Sequence, residues 1–410
     1  MTQPGVERMS APRSRLEWGV RAALAAGAAW LGYGAVNHSL ANALRSSSPE
    51  RAYQLAPDDG GIAAALSSNL SGPDATLQDR ARADTLARAA LRRDPIAVPA
   101  LSTLGLNAQI RGDIATARRT FAYVQKLTRR DLRTQLWAIE DAVARGDIPG
   151  ALNQYDIALR TAREAPNLLF PVLAGAIAEP SVRRALVRVL ADKAPWGPDF
   201  VIHAAATSPD PRAVVDMLIA MRRAGIEVPE AASQRAVDAL VAGKDLDRAW
   251  RYYATLRPDV VRHTSRDPRF MERHAAPTLF DWKPVEDAGL TGTIEPSDRG
   301  GRFDFAVFSG ASGPVLRQMQ ALPPGAYVIE GVASTDPVDA SRPYWSLTCA
   351  DGPELGRVDA GKDGRFRGMV RVPPGCPVQA LTLVARPSNL MAGVTGQVTE
   401  ARIRPASVRP

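Results

Sequence analysis

The sequence predicts two folded parts, a helical array followed by an all-β module, behind an N-terminal helix that spans a membrane. Three observations predict it. No Asp, Glu, Lys or Arg stands between Arg21 and Arg45. A Gly-Asp-Ile triplet occurs at Gly112 and again 34 residues later at Gly146. From Phe280 onward apolar and polar residues alternate with period two, the mark of half-buried strands.

At 410 residues the chain exceeds one ordinary domain, and its 45% apolar content suffices for large cores. Lys and Arg outnumber Asp and Glu by 51 to 43. Such an excess suggests nucleic acid or anionic lipid. Nearly every Arg, however, falls near an Asp or Glu on a predicted helix face, the pattern of a solvated surface. No nucleic-acid partner is expected.

The first element is read over Trp18 to Leu40. A crossing helix needs about 20 apolar residues, and this stretch meets that loosely. Arg21 has to snorkel, and Asn37 and His38 weaken the far end. Trp18, Trp30 and Tyr33 suit the interfaces, and Arg8, Arg13, Arg15 and Arg21 against Glu7 and Glu17 keep the N-terminus cytoplasmic. The expectation is a single-pass inner-membrane anchor over 1–45 with the bulk of the chain in the periplasm. A cleaved signal peptide, cut near Ala41-Asn42-Ala43, and a buried core helix remain alternatives.

The second element is the helical array, expected over 46–257. Leu101, Leu104-Gly105, Ala108, Ala117 and Phe121 form one unit. Ala151 and Tyr155 repeat its second half, as do Ala83, Ala87, Ala90 and Pro95 upstream and Ala249 and Tyr253 downstream. This pattern resembles the tetratricopeptide repeat, which implies stacked helix pairs in an α-solenoid that grips a protein partner. Small residues at Gly105 and Ala117 are expected to face each other within a pair, with Phe121 filling the space between pairs. Helices continue over 168–178, 180–191, 199–206 and 211–225, several opened by Pro in the first turn. A connector over 258–283 carries Arg262, His263, Arg266, Arg269, Arg273 and His274. An anionic polymer is one reading of it; a solvated linker is preferred.

The third element is a β-sandwich expected over 284–410. Strands are read at 302–308, 326–331, 344–349, 365–372, 378–385 and 396–403, separated by Pro-Gly and Asp-Gly turns. Trp282, the Leu322-Pro323-Pro324-Gly325-x-Tyr327 corner and the closing strand from Val398 to Ile403 resemble the galactose-binding-like jelly rolls of carbohydrate-binding modules. The resemblance implies sugar binding through exposed aromatics. Tyr344 and Trp345 are adjacent, so one points into the sandwich and one outward as a glycan platform.

Catalysis finds no constellation. His38, His203, His263 and His274 lack metal-ligand spacing, and no phosphate loop, nucleophile elbow or zincin helix is present. No catalytic residue, cofactor or metal is expected, although Asp304, Asp351 and Asp363 could ligate a structural Ca²⁺ in the β module. Cys349 and Cys376 both lie in that module and are read as a disulfide suited to an oxidising compartment, against the alternative of two buried thiols. The functional expectation is a membrane-anchored periplasmic scaffold, its helical array holding a protein and its sandwich a polysaccharide, in exopolysaccharide or envelope assembly. The alternative is an accessory substrate-binding subunit of a separate glycan-active enzyme.

Overall fold

The computed structural model describes residues 15–336, 342–350, 352–361, 363–391 and 393–406. Glu7, Arg8 and Arg13, expected to orient the N-terminus, and the turn residue Asp351 lie outside them. The chain divides into two compact units, Met1–Ala162 and Arg163–Pro410.

The first unit is helical: α1 (Arg15–Leu44), α2 (Pro49–Leu55), α3 (Gly60–Asn69), α4 (Leu77–Arg93), α5 (Val98–Ile110), α6 (Ile114–Leu127), α7 (Leu132–Ala144) and α8 (Ile148–Thr161). The expected membrane span is corrected here. No helix among the described residues is long and apolar enough to cross a membrane. At 30 residues α1 has the length, but between Ala22 and Val36 its only aliphatic side chains larger than Ala are Leu24, Leu31 and Val36. Asn37, His38, Ser39 and Asn42 then follow. The buried-core alternative fails as well, since Trp18, Trp30 and Tyr33 are 61%, 74% and 69% exposed. The helix joins its unit only near its end, where Ala41 packs with Ala52 and Ile62.

The two Gly-Asp-Ile triplets build the same turn twice. Gly112 and Gly146 take the left-handed conformation at φ +82° and +70°, which ends one helix at no Cβ cost. Asp113 and Asp147 then cap the next helix, accepting from the backbone N–H of Thr116 at 3.0 Å and Gly150 at 2.9 Å. Within the pair α5–α6 Gly105 and Ala117 are both buried. A Cβ on Gly105 would lie 2.9 Å from the Phe121 ring, so the glycine makes room for that ring. Phe121 stacks in turn on Trp137 of α7, with centroids 4.5 Å apart.

The second unit opens with α9 (Ala165–Ala176), α10 (Pro180–Ala191), α11 (Gly197–Thr207), α12 (Pro211–Arg223), α13 (Glu230–Ala242) and α14 (Leu246–Leu256). Ten strands follow among the described residues: β1 (Lys283–Pro284), β2 (Leu290–Glu295), β3 (Arg302–Val307), β4 (Gly313–Gln320), β5 (Gly325–Asp336), β6 (Tyr344–Cys349), β7 (Glu354–Asp359), β8 (Arg365–Val372), β9 (Gln379–Ala385) and β10 (Val394–Pro405). They form two five-stranded antiparallel sheets, β1-β4-β9-β6-β7 and β2-β3-β10-β5-β8. The inward residues Phe303, Phe305, Ile329, Trp345, Leu347, Phe366, Leu381, Leu383, Val398 and Ile403 fill the core between them.

The connector is no solvated linker. Its backbone runs beside β10, where the Ser265 N–H donates to the Ile403 carbonyl at 3.0 Å and the Ala401 N–H to the Pro268 carbonyl at 2.9 Å. Phe270 and Phe280 are fully buried, and Arg266 is 5% exposed. Arg266 donates to the Phe280 carbonyl at 2.7 and 3.0 Å, to Gln320 Oε1 at 2.8 Å and to the Met319 carbonyl. Gln318 and Gln320, both buried on β4, complete this network. A guanidinium inside a protein requires such a full set of acceptors.

Candidate functional site

Strand alternation places the candidate site on the outer face of the second sheet. In β3, Phe303, Phe305 and Val307 point inward, so Arg302, Asp304 and Ala306 point outward. The register puts Thr293 of β2 and Gln397 of β10 opposite Asp304, and Ser334 of β5 opposite Gln397. One row across four strands thus reads Thr293, Asp304, Gln397, Ser334. It crosses a groove of about 730 Å³ that Thr291, Thr335 and Thr395 also line. Gly292 and Gly396 line the groove with bare backbone, and on the core side their missing Cβ atoms make room for the rings of Phe303 and Phe305, which a Cβ would meet within 2.6 Å. Arg302 lies at the margin, 2.7 Å from Asp304 Oδ2 and bonded to Glu295.

Hydroxyls, an amide and an ion pair make this lining able to donate and accept hydrogen bonds at once. That chemistry matches a polyhydroxylated ligand. None of these residues except Asp304 stood out in the sequence. Each is an ordinary outward strand residue, and only the register brings them into one row. Of the aspartates suggested for Ca²⁺, Asp304 pairs with Arg302, Asp363 accepts from the Arg365 N–H at 3.1 Å within a turn, and Asp351 lies outside the described residues. Among the described residues no His, Cys, Asp or Glu group could hold a metal.

The adjacent aromatics lie on the first sheet. Trp345 is 1% exposed and packs between Trp282 and Phe366, at 5.8 and 5.5 Å. Tyr344 points outward, but its ring is occupied. The guanidinium of Arg357 lies 4.0 Å from its centroid and that of Arg386 5.0 Å. These cations are fixed by Glu354 and Asp359. Cys349 and Cys376 are joined as a disulfide, with Cα atoms 5.7 Å apart.

The repeat-packing residues fall inside the helical pairs. Ala117, Phe121, Ala151, Tyr155, Ala249 and Tyr253 are buried, and Leu104 packs partly buried beside Ala100. Tyr253 has a further role, because its hydroxyl donates to Asp281 of the connector at 2.8 Å. Asp281 also accepts from the Thr278 backbone and hydroxyl at 2.8 and 2.9 Å. Burial, with Asp281 beside it, pushes the Tyr253 phenol far above its ordinary value, and burial pushes Arg266 down to about 10. A second cavity of about 420 Å³ opens here, lined by Tyr253, Asp267, Glu272, His274, Asp281 and Trp282. Its polar groups largely answer one another: His274 bonds Glu272 at 2.9 Å, and Asp267 accepts from two backbone N–H groups. Spacing hid this cluster, since Tyr253 is 28 residues from Asp281.

No family model matches the chain, and no curated protein matches it. Solved structures are similar to parts of it, among them the following two. One is TmCBM61 in complex with β-1,4-galactotriose, at 14% identity and a TM-score of 0.25, covering 34% of this chain and 97% of that one. The other is the enzymatically active domain of bacteriophage CBA120 tailspike protein 4, at 12% identity and a TM-score of 0.23, covering 36% of this chain and 21% of that one. At such identity and overlap neither likeness assigns a ligand to this chain.

Proposed function

We propose that this protein is a non-catalytic, exported adaptor whose β-sandwich binds a glycan across the outer face of the second sheet. The observation that carries the reading is the row Thr293, Asp304, Gln397, Ser334 inside a groove of about 730 Å³. Side chains of this kind satisfy sugar hydroxyls, and strands hold them more rigidly than loops would. The disulfide supports a compartment outside the reducing cytoplasm, the periplasm in our reading. The helix pairs with their recurring Gly-Asp turns, similar to tetratricopeptide repeats, are read as the protein-binding half of a scaffold in envelope or exopolysaccharide assembly.

The test is isothermal titration calorimetry of the full chain against a panel of neutral and acidic polysaccharides. Binding should appear and weaken about thirtyfold in Asp304→Ala/Gln397→Ala, which removes two hydrogen-bonding groups at about 1 kcal/mol each. A double variant that binds as tightly as the parent would move the site elsewhere. A parent chain that binds no glycan at all would end the reading.

A further inference from the structure

The outer face of the second sheet does not end at the groove. It continues over β10, β5 and β8, and its chemistry changes there. Along β8, Phe366, Val370 and Val372 point into the core, so Arg365, Arg367, Met369 and Arg371 point out. On β10 the residues sharing this face are Glu400, Arg402 and Arg404. On β5 Glu330 stands between them, opposite Arg402 on one side and Arg367 on the other. Five guanidiniums therefore share this surface with two carboxylates. Glu330 holds Arg404 in a two-pronged bond at 2.6 and 3.1 Å and lies 3.8 Å from Arg367. Glu400 holds Arg402 at 3.2 Å. Arg365 and Arg371 are exposed and form no side-chain ion pair among the described residues. β8 is also the edge of its sheet.

We propose that the ligand of this face is an acidic polysaccharide, a chain bearing carboxylate groups, with its hydroxyls in the groove and its charges on the arginines of β8. The inference rests on the glycan reading of the groove and adds the charge of the ligand to it. Arg365, Arg367 and Arg371 put like charges at alternate positions of one strand, where they repel, and an anionic chain laid along them removes that repulsion. Guanidiniums take carboxylates in two-pronged geometry. Outward residues on a strand recur about every 7 Å, so Arg365 and Arg367 present a ladder to a linear polymer. In the groove itself, Asp304 and Glu295 are already paired with Arg302 and do not repel an acid strongly.

Two other polyanions are disfavoured by the same surface. Single-stranded nucleic acid is held by aromatic side chains on which bases stack, and no strand of this sheet points an aromatic outward. A lipid surface calls for an apolar face to enter it, and β8 and β5 present only Met369 and Val332 as exposed large apolar side chains. Arginines on an edge strand also guard against edge-to-edge pairing, a role that requires no ligand.

The experiment uses the full chain in affinity electrophoresis and calorimetry. The probes are polygalacturonate, alginate, hyaluronate, the methyl-esterified form of polygalacturonate, a neutral galactan, single-stranded DNA and vesicles of anionic lipid. We expect at least one acidic polysaccharide to bind and its methyl-esterified or neutral counterpart to bind at least about tenfold more weakly. Arg365→Gln/Arg371→Gln, with both positions exposed and the fold checked by circular dichroism, should lose about tenfold on the acidic chain. Gln397→Ala should weaken the same binding, which a purely electrostatic surface would not show. Binding should also fall steeply as salt rises from about 0.05 to about 0.5 M. Neutral chains binding as well as acidic ones, with Gln397 needed and the arginines not, would overturn the acidic inference and leave the groove reading standing. DNA or vesicles binding in the polysaccharide's place, with the arginines needed and Gln397 not, would overturn it in favour of another polyanion. No binding to any acidic chain would overturn it outright.

Discussion

The two outer faces of the sandwich are built from the same alternation and arrive at opposite states. On the first sheet Tyr344 points outward but is half-buried, because Arg357 and Arg386 cover its ring and are themselves fixed by Glu354 and Asp359. Around that ring each of these charges has a partner within the sheet. On the second sheet the groove is open, and Arg365 and Arg371 form no side-chain ion pair among the described residues. The difference teaches that an outward aromatic is no sugar platform when cations already occupy its ring. The more informative feature is a polar or charged side chain that the fold itself leaves unanswered.

The largest effect expected separates the two members of the aromatic pair. Trp345→Ala removes a fully buried indole from between Trp282 and Phe366, and should cost about 3–5 kcal/mol. Tyr344→Ala should cost less than about 1 kcal/mol, the range of a contact at the protein surface. Chemical denaturation of both variants measures this, and calorimetry checks that Tyr344→Ala leaves glycan affinity within about twofold. Lost binding in Tyr344→Ala would transfer the site to the first sheet and break the comparison.

The next effect concerns what ties the faces together. The disulfide links the end of β6, in the first sheet, to the turn that leads from β8 of the second sheet to β9 of the first. It closes a separation of 27 residues, for which the chain-entropy model gives a stabilisation of about 3.5 kcal/mol. Cys349→Ala/Cys376→Ala should lower stability by about that amount while changing affinity on the second sheet less than about twofold. A larger loss of affinity would mean that the groove depends on this end of the sandwich.

Much of the architecture is legible before the structure is known. The switch from helix to strand, the Gly-Asp turns and strands such as 302–308 and 365–372 follow from periodicity and turn residues. What is not legible depends on partners distant in sequence. β4 escapes because Gln318 and Gln320 occupy its inward positions, and they suit a core only once Arg266 is buried beside them. The connector looks solvated for the same reason, since its arginines resemble surface residues until one finds carbonyl acceptors. The groove row is invisible because register, which the sequence does not print, decides which outward residues meet. On α1 the absence of charge reads as a membrane span, whereas Ala and Gly contribute length with little hydrophobicity. The missing quantity there is side-chain size.

The smallest effect concerns Glu330, which holds the balance of charge on the arginine face. The hydrogen bond from Arg404, aided by the charges of Arg404, Arg367 and Arg402, keeps its carboxyl below the ordinary value of 4.5. A carboxyl whose pKa is lower in the folded state stabilises the fold at pH above its unfolded value, and that contribution disappears as pH falls through the folded value. The parent chain should therefore lose a little stability as pH drops below about 4.5, and Glu330→Gln should lack that component of the loss. Because the pair is partly solvated, the difference at neutral pH should stay under about 1 kcal/mol. Affinity should move the other way. Glu330→Gln frees Arg404 and Arg367 from a competing carboxylate, so an acidic polysaccharide should bind roughly two- to fivefold more tightly near pH 7, with the gain shrinking in high salt. Weaker binding in this variant would show that Glu330 orients the guanidiniums for the ligand, in which case Glu330→Asp should restore part of the affinity and the free charge of Arg365 and Arg371 would matter less than the geometry of the pair.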